Sequence, residues 1–195
     1  NTWEDGNAFA LLPFEHLEPA WKVLAVDGNS PIQKDFEPEN YALTVPFSFL
    51  GDQASIEILL GLLMDEGTSG SSDVLSNRNA DQLTTVILTG VTALVRGTAY
   101  IMESSGYTYP AIDIGDILRD ADILHISNEI PFTETCPKPY SNKANDTALV
   151  FCSRPDYIQL LEAIGTDVVE VTGDHFRDWG PDAMQYTLDM YEVRG

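Results

Sequence analysis

The segment 153-SRPDYIQLLEAIGTDVVEVTGDH-175 decides the fold. Ser153 can cap a helix, Pro155 suits its first turn, and Asp156 favours its positive end. Tyr157, Leu160, Leu161 and Ile164 recur at helical spacing, and Gly165 stops the run. This spacing predicts a helix over 153–164. Just beyond it, Val168 to Val171 is predicted as a buried strand whose exit carries Asp174 and His175.

Working outward, 122-DILHIS-127 reads as a second strand, ending at Asn128-Glu129. Leu83 to Leu88 (LTTVIL) reads as a third, leading into Gly90-Val91-Thr92. A short helix is predicted over Ile112 to Arg119 between them. After the quoted segment, Pro181 opens a helix with Met184, Leu188 and Tyr191 on one face. Strands alternating with helices imply an α/β domain over 83–195, a largely parallel sheet with flanking helices.

The preceding stretch, 66–82 (EGTSGSSDVLSNRNADQ), has almost no apolar content and reads as a linker or exposed loop. Residues 1–65 read as a small α+β segment. Its strand candidates are Lys22 to Val26, which ends in Asp27-Gly28, and Tyr41 to Leu50, which Pro46 interrupts. Its helix runs over Ile56 to Met64, with Ile56, Leu59, Leu60 and Leu63 in one stripe and Asp52 as cap. A piece of this size is small for an independent core and faintly resembles the closing part of a solute-binding-like domain.

A net charge of −21 with only ten Lys and Arg argues against nucleic-acid binding, which needs clustered basic residues. The same charge repels anionic polymers, so an acidic ligand would need a metal or a local basic pocket. The apolar run from Ile56 to Met64 is far short of the roughly 20 residues of a membrane span. Membrane association is therefore expected only through a segment or anchor outside this sequence. The opening NTWEDGNAF has no basic stretch of the kind that begins a signal peptide.

Cys136 and Cys152 bracket a polar loop without a histidine, which speaks against zinc. A bridge is favoured over two free thiols, and it implies an oxidising compartment. The sequon Asn145-Asp146-Thr147 is too common a pattern to carry weight.

In parallel α/β sheets, ligands bind at the carboxyl ends of the strands. Three exits carry distinctive residues: Gly90-Val91-Thr92, Asn128-Glu129, and Asp174-His175 with Asp178 a short turn later. Carboxylate, amide oxygen and imidazole are the ligand set of a hard or borderline divalent metal. His175 also suits a general acid, because imidazole titrates near neutrality. Each residue has a plainer role open to it. Asn128 and Asp174 would turn the backbone after a strand, Glu129 would pair with Arg96 or Arg177, and His175 would bond only to Asp178. His125, inside a strand, reads as a core or face histidine.

Two stretches, 121-ADILHISNEIPFTE-134 and 151-FCSRPDYIQLLEAIGTDVVEVTGDHFRDWGPDAMQYTLDMY-191, resemble the CapA family of capsule and poly-γ-glutamate synthesis proteins. That family shows a Gly-Asp strand exit, an Asn-Leu-Glu-x-Pro motif, and an Asn-Asn-His-x-x-Asp-x-Gly motif before a helix. Asn128 and Glu129 match the second motif. Asp174 stands for the second Asn of the third, while His175, Asp178 and Gly180 match directly.

The resemblance implies half of a calcineurin-like metallophosphatase αββα domain, extracytoplasmic and associated with the cell envelope. It implies as partner an anionic cell-surface polymer or its synthesis machinery. A divalent metal (Mn, Zn or Mg) would be held in the full-length protein by Glu129, Asp174 and His175. His175 and Asp178 would be the catalytic pair, and Asn128, Glu129, Thr92 and Arg96 would bind substrate. The chain departs from the pattern at Val91, where the first motif places a metal-binding Asp, though Arg96 stands where a basic residue is usual. The family's later His-Trp-Gly motif would lie beyond Gly195. The expectation is therefore the N-terminal part of the domain, with no tightly held metal and little activity alone. The first functional reading is a metal-dependent hydrolase, and the alternative is a non-catalytic binding or scaffold module that has lost the metal site.

Overall fold

The computed structural model describes residues 8–64, 76–78, 80–140 and 149–195. The linker expected over 66–82 falls largely outside them, as does the Asn145 sequon. The chain divides into two compact units, Asn1–Leu83 and Thr84–Gly195.

Among the described residues the N-terminal unit contains one regular helix, α1 (Gln53–Met64), and short 3-10 turns at Phe14–His16, Pro38–Asn40 and Ala80–Gln82. Asp52 caps α1 as expected, its Oδ1 accepting the Ser55 N–H at 3.0 Å. The two strands expected here do not form: among the described residues this unit has no strand. Asp27-Gly28 does turn the chain, with φ values of 50° and 83°, and Val26 and Asn29 exchange backbone hydrogen bonds across it. The pairing stops there, because Pro46 removes a ladder donor from the other candidate and a lone strand has no stability. Arg78 instead holds the 31–36 loop, donating to the Pro31 and Gln33 carbonyls at 2.7 Å each and lying over the Phe36 ring.

The second unit is an α/β layer. Strands β1 (Val86–Val91), β2 (Ile123–Ser127) and β3 (Val168–Glu170) form a parallel sheet in the order β1-β2-β3. Helices α2 (Arg96–Ser105) and α3 (Gly115–Arg119) lie between β1 and β2 in sequence. Helix α4 (Ile158–Ala163) precedes β3, and α5 (Gly180–Glu192) follows it. One sheet face carries Leu124 and Ile126, both fully buried in a core with Leu94, Met102, Phe132, Tyr157, Leu160 and Leu161. The register puts Val86 beside Ile123, and Leu88 beside His125 and Val168, on the other face, where Val86, Leu88, Ile123 and Val168 are exposed. That open face is where the second sheet of an αββα sandwich would pack.

Five local expectations need correction. The first strand runs to Val91 rather than stopping at Leu88, because the ladder with β2 continues and a bulge at Thr89-Gly90 absorbs the extra residue. Its exit therefore begins at Thr92, whose N–H donates to the Ser127 carbonyl at 2.7 Å. β3 ends at Glu170 and is an edge strand, with Val168 exposed rather than buried. Helix α3 is only the second half of the expected 112–119 run, a 3-10 turn at Tyr109–Ala111 preceding it.

Ser153 is not a cap. It is buried, its hydroxyl donating to the Leu94 carbonyl at 3.0 Å and its N–H to Pro131, and the helix begins as a 3-10 turn at Pro155–Tyr157. Lastly, α5 buries Ala183, Thr187 and Met190, while Leu188 faces solvent. The Thr187 hydroxyl accepts the Phe132 N–H at 2.7 Å, and this bond sets the helix's rotation. The sequence reading passed over α2, where Gly97 and Thr98 weaken helix propensity, yet Ala99 and Met102 pack into the core.

The apolar face expected of Tyr157, Leu160, Leu161 and Ile164 is buried as its spacing required, α4 supplying the middle two residues and its flanks the outer two. The bridge between Cys136 and Cys152 is formed, with Cα atoms 5.7 Å apart. Beside it, Glu103 of α2 is paired with Lys138 at 3.1 Å and Arg154 at 2.5 Å and accepts the Tyr157 hydroxyl. Burial pushes the Glu103 carboxyl up, but these three donors outweigh it and leave it below the usual range.

Candidate metal centre

Because the strands are parallel, their carboxyl ends share one edge, and the exits of β2 and β3 meet there. Glu129 follows β2 closely, and Gly173-Asp174-His175 folds back from β3 against it. Gly173 is required by space rather than by φ: a Cβ there would fall 2.0 Å from the Glu129 Cβ. No side chain fits between the two exits. The glycine lets backbone touch backbone and brings Asp174 and His175 to the carboxylate.

One ligand atom each from Glu129, Asp174 and His175 lies within 4.8 Å of the others. Asp174 is 87% exposed at its side chain and His175 21%, so the cluster has a solvated mouth and a sheltered wall. Behind His175, Asp178 Oδ2 meets Nδ1 at 2.7 Å. The same oxygen accepts the Phe151 N–H at 2.7 Å. This fixes the ring so that Nε2, 3.8 Å from Asp174 Oδ1, looks toward the carboxylates. An imidazole held by a carboxylate at one nitrogen and offering the other is the usual arrangement of a metal-binding histidine.

The Asp178 hydrogen bond is also the main reason the His175 pKa is raised. Partial burial opposes it, and the charges of Asp174, Asp178 and Glu129 add to it. A proton or a metal cation would relieve the same concentration of negative charge.

The other expected residues are placed differently. Asn128 is fully buried and turned toward α5, its Nδ2 donating to the Tyr191 hydroxyl at 2.6 Å and to the Ile130 carbonyl at 3.2 Å. Burial pushes the Tyr191 phenol up to about 12, while the bond from Asn128 lowers it. Asn128 thus fastens the β2 exit to α5, and its Oδ1 has no hydrogen-bond partner among the described residues. Thr92 contributes a backbone bond to the sheet. Arg96, at the start of α2 with φ 50°, lays its guanidinium 4.6 Å from the centroid of Phe151. The Phe151 ring in turn lies 4.5 Å from the His175 ring. Arg96 therefore reaches the cluster through an aromatic ring. Val91, at the end of β1, offers no donor.

Two carboxylates and one imidazole suit a single divalent cation of hard or borderline character. The residues present fit one such ion. The sequence reading missed Gly173 and Phe151. The glycine had a signal, since a Gly between a strand and an acid-histidine pair marks close backbone approach. Phe151 had none, because its role depends on a tertiary contact.

A family model described as bacterial capsule synthesis protein PGA_cap matches residues 85–195. A search of the curated proteins finds no match.

Proposed function

The chain belongs to the bacterial capsule synthesis protein PGA_cap family, and on that premise we propose that it acts outside the cytoplasm on an anionic, poly-γ-glutamate-like capsule polymer through one divalent cation. The observation that carries this reading is the convergence of Glu129, Asp174 and His175 within 4.8 Å at the sheet's carboxyl edge. A protein of charge −21 repels a polyanion, and a cation shared between them converts repulsion into recognition. The disulfide supports an oxidising compartment. No helix among the described residues is long and apolar enough to cross a membrane.

In the hydrolase form of this reading, a bound Mn, Zn or Mg would polarise the scissile phosphoester or amide and acidify a water. Glu129 and Asp174 supply negative oxygens, and His175 supplies Nε2. Asp178 keeps the His175 proton on Nδ1, so that Nε2 is free to bind. When no cation is held, the Asp178 hydrogen bond and the surrounding carboxylates raise the His175 pKa, which favours its proton-donating form facing the open mouth.

A second reading is favoured by Val91. The first motif's Asp is replaced by an aliphatic side chain that cannot hold a second ion, and a single weak cation site suits a module that binds polymer without cutting it.

Elemental analysis and calorimetry on the purified protein with Mn²⁺, Zn²⁺ and Mg²⁺ test the common premise. The expected result is one cation per chain, removable by chelator and lost in Glu129→Gln and His175→Asn. No binding of any of the three would overturn it. Metal-dependent shortening of poly-γ-glutamate supports the hydrolase, and binding without shortening supports the module.

A further inference from the structure

We infer that Phe151 is a positioning residue for the cation site, holding the His175–Asp178 pair through both its backbone N–H and its ring. The inference rests on the reading of Glu129, Asp174 and His175 as a cation site and names the part that keeps it in shape.

The backbone contact acts on Asp178. Its Oδ2 receives two donors, the Phe151 N–H and His175 Nδ1, each at 2.7 Å. A carboxylate on an isolated turn can rotate and offer either oxygen. One oxygen pinned by a main-chain donor cannot rotate without losing that bond, so the His175 proton has a fixed address on Nδ1. The ring contact acts on His175 directly. With centroids 4.5 Å apart and planes inclined by 59°, the phenyl ring blocks rotation of the imidazole and shields it from water.

Phe151 can serve as a reference point because its own surroundings are fastened. Its neighbour Cys152 is covalently tied to Cys136. Ser153, next along, is fully buried, donates to Pro131 and Leu94, accepts from Thr133, and forms a parallel bridge with Phe132. The segment 151–153 is thus pinned to the chain that leaves β2 and carries Glu129. Phe151 therefore measures His175, on the β3 exit, against Glu129, on the β2 exit. Arg96 covers the same ring, its guanidinium 4.6 Å from the centroid, and adds a third anchor from α2.

The role differs from that of a ligand: Phe151 touches no cation and acts through the histidine. Outer partners of a metal-binding histidine typically alter affinity by about 10–100-fold. The test compares wild type, Phe151→Ala and Phe151→Tyr as full chains. One readout is Zn²⁺ affinity by calorimetry, and the other is the His175 tautomer by ¹⁵N NMR of the metal-free protein above its pKa. Circular dichroism and thiol titration establish that each variant is folded with its disulfide intact.

Phe151→Ala is expected to weaken Zn²⁺ roughly tenfold and to mix the two tautomers. Phe151→Tyr is expected to restore both. An alanine variant with wild-type affinity and a single Nδ1–H tautomer would overturn the inference. So would a tyrosine variant, folded and bridged, that behaves like the alanine one. If wild type binds no Zn²⁺, the cation reading fails, and the tautomer alone still decides whether Phe151 positions His175. Should the alanine variant not fold, Phe151→Leu replaces it, with tautomer mixing expected and a single tautomer overturning the inference.

Discussion

The two units of this chain use similar residues to different effect. Every buried hydrophobic residue among the described ones lies between Leu94 and Met190, in the second unit. In the first, Phe47 is 88% exposed and Leu50 95%. Apolar content is therefore not a core. A core forms where the period of apolar residues matches an element and a second element covers the face. In the second unit Leu124 and Ile126 alternate correctly on a central strand, and Leu160 and Leu161 of α4, with the flanking Tyr157 and Ile164, pack in the same core. In the first unit Pro46 interrupts the strand candidate Tyr41 to Leu50, and no partner strand covers it among the described residues.

The sharpest way to break this contrast is to cut into the central strand. Leu124→Ala removes a fully buried side chain that α2 and α4 cannot close over. It should cost about 2–5 kcal/mol in chemical denaturation. A loss below about 1 kcal/mol would mean that the layer is loosely packed and that its core is not the source of the difference.

Next in size is the Cys136–Cys152 bridge. Closing a loop with a sequence separation of 16 is worth about 3 kcal/mol in the chain-entropy model. Cys136→Ser with Cys152→Ser should lower stability by roughly that amount, read from the denaturation midpoint. Retained stability would show that Ser153 and the Glu103 cluster hold the excursion unaided.

This gradient also explains how much was legible beforehand. Helix α4 and strand β2 could be read because their patterns are local: a proline in the first turn, a stop glycine, apolar residues at one period. The three parallel exits then followed from alternation, which is why Glu129, Asp174 and His175 could be named together. What was not legible depends on one chain meeting another. The extension of β1 to Val91 comes from its partner strand, the burial of Ser153 from Leu94 and Pro131, and the rotation of α5 from Thr187 meeting Phe132. Asn128 was named for a binding site, but its amide is held by Tyr191, 63 residues away in sequence.

Gly173→Ala probes the point where two exits touch. The added methyl must displace Glu129, whose Cβ it would meet at 2.0 Å and whose Cα it would meet at 3.1 Å. Overpacking of this kind typically costs about 1–3 kcal/mol. It should also abolish cation binding, because it drives apart the residues that would share the ion. Stability lost with cation binding kept would place the ligands elsewhere.

The pH response of His175 should be smaller. Its folded pKa is raised, chiefly by the Asp178 hydrogen bond, against an unfolded value of about 6.5. Its stabilisation is therefore complete below that value, where both states are protonated, and disappears as pH rises through the folded pKa. Wild type should lose a little stability between about pH 6 and the raised pKa, relative to His175→Gln, and cation binding should strengthen over the same interval. A variant with the same pH profile as wild type would mean that the charge cluster does not act on this histidine.

The smallest expected effect sharpens the comparison from the other side. Phe47→Ala removes a larger side chain than Leu124→Ala, so side-chain volume alone would rank it as more damaging. Its ring is 88% exposed, however, and has little burial to lose. The change should fall within about 0.5 kcal/mol of wild type, as for surface substitutions generally. Denaturation followed by fluorescence and by circular dichroism should give the same midpoint as wild type. A loss above about 2 kcal/mol would show that Phe47 is covered in solution and that the N-terminal unit has a core of its own. In that event the two units would differ in what covers them rather than in whether their apolar residues are organised.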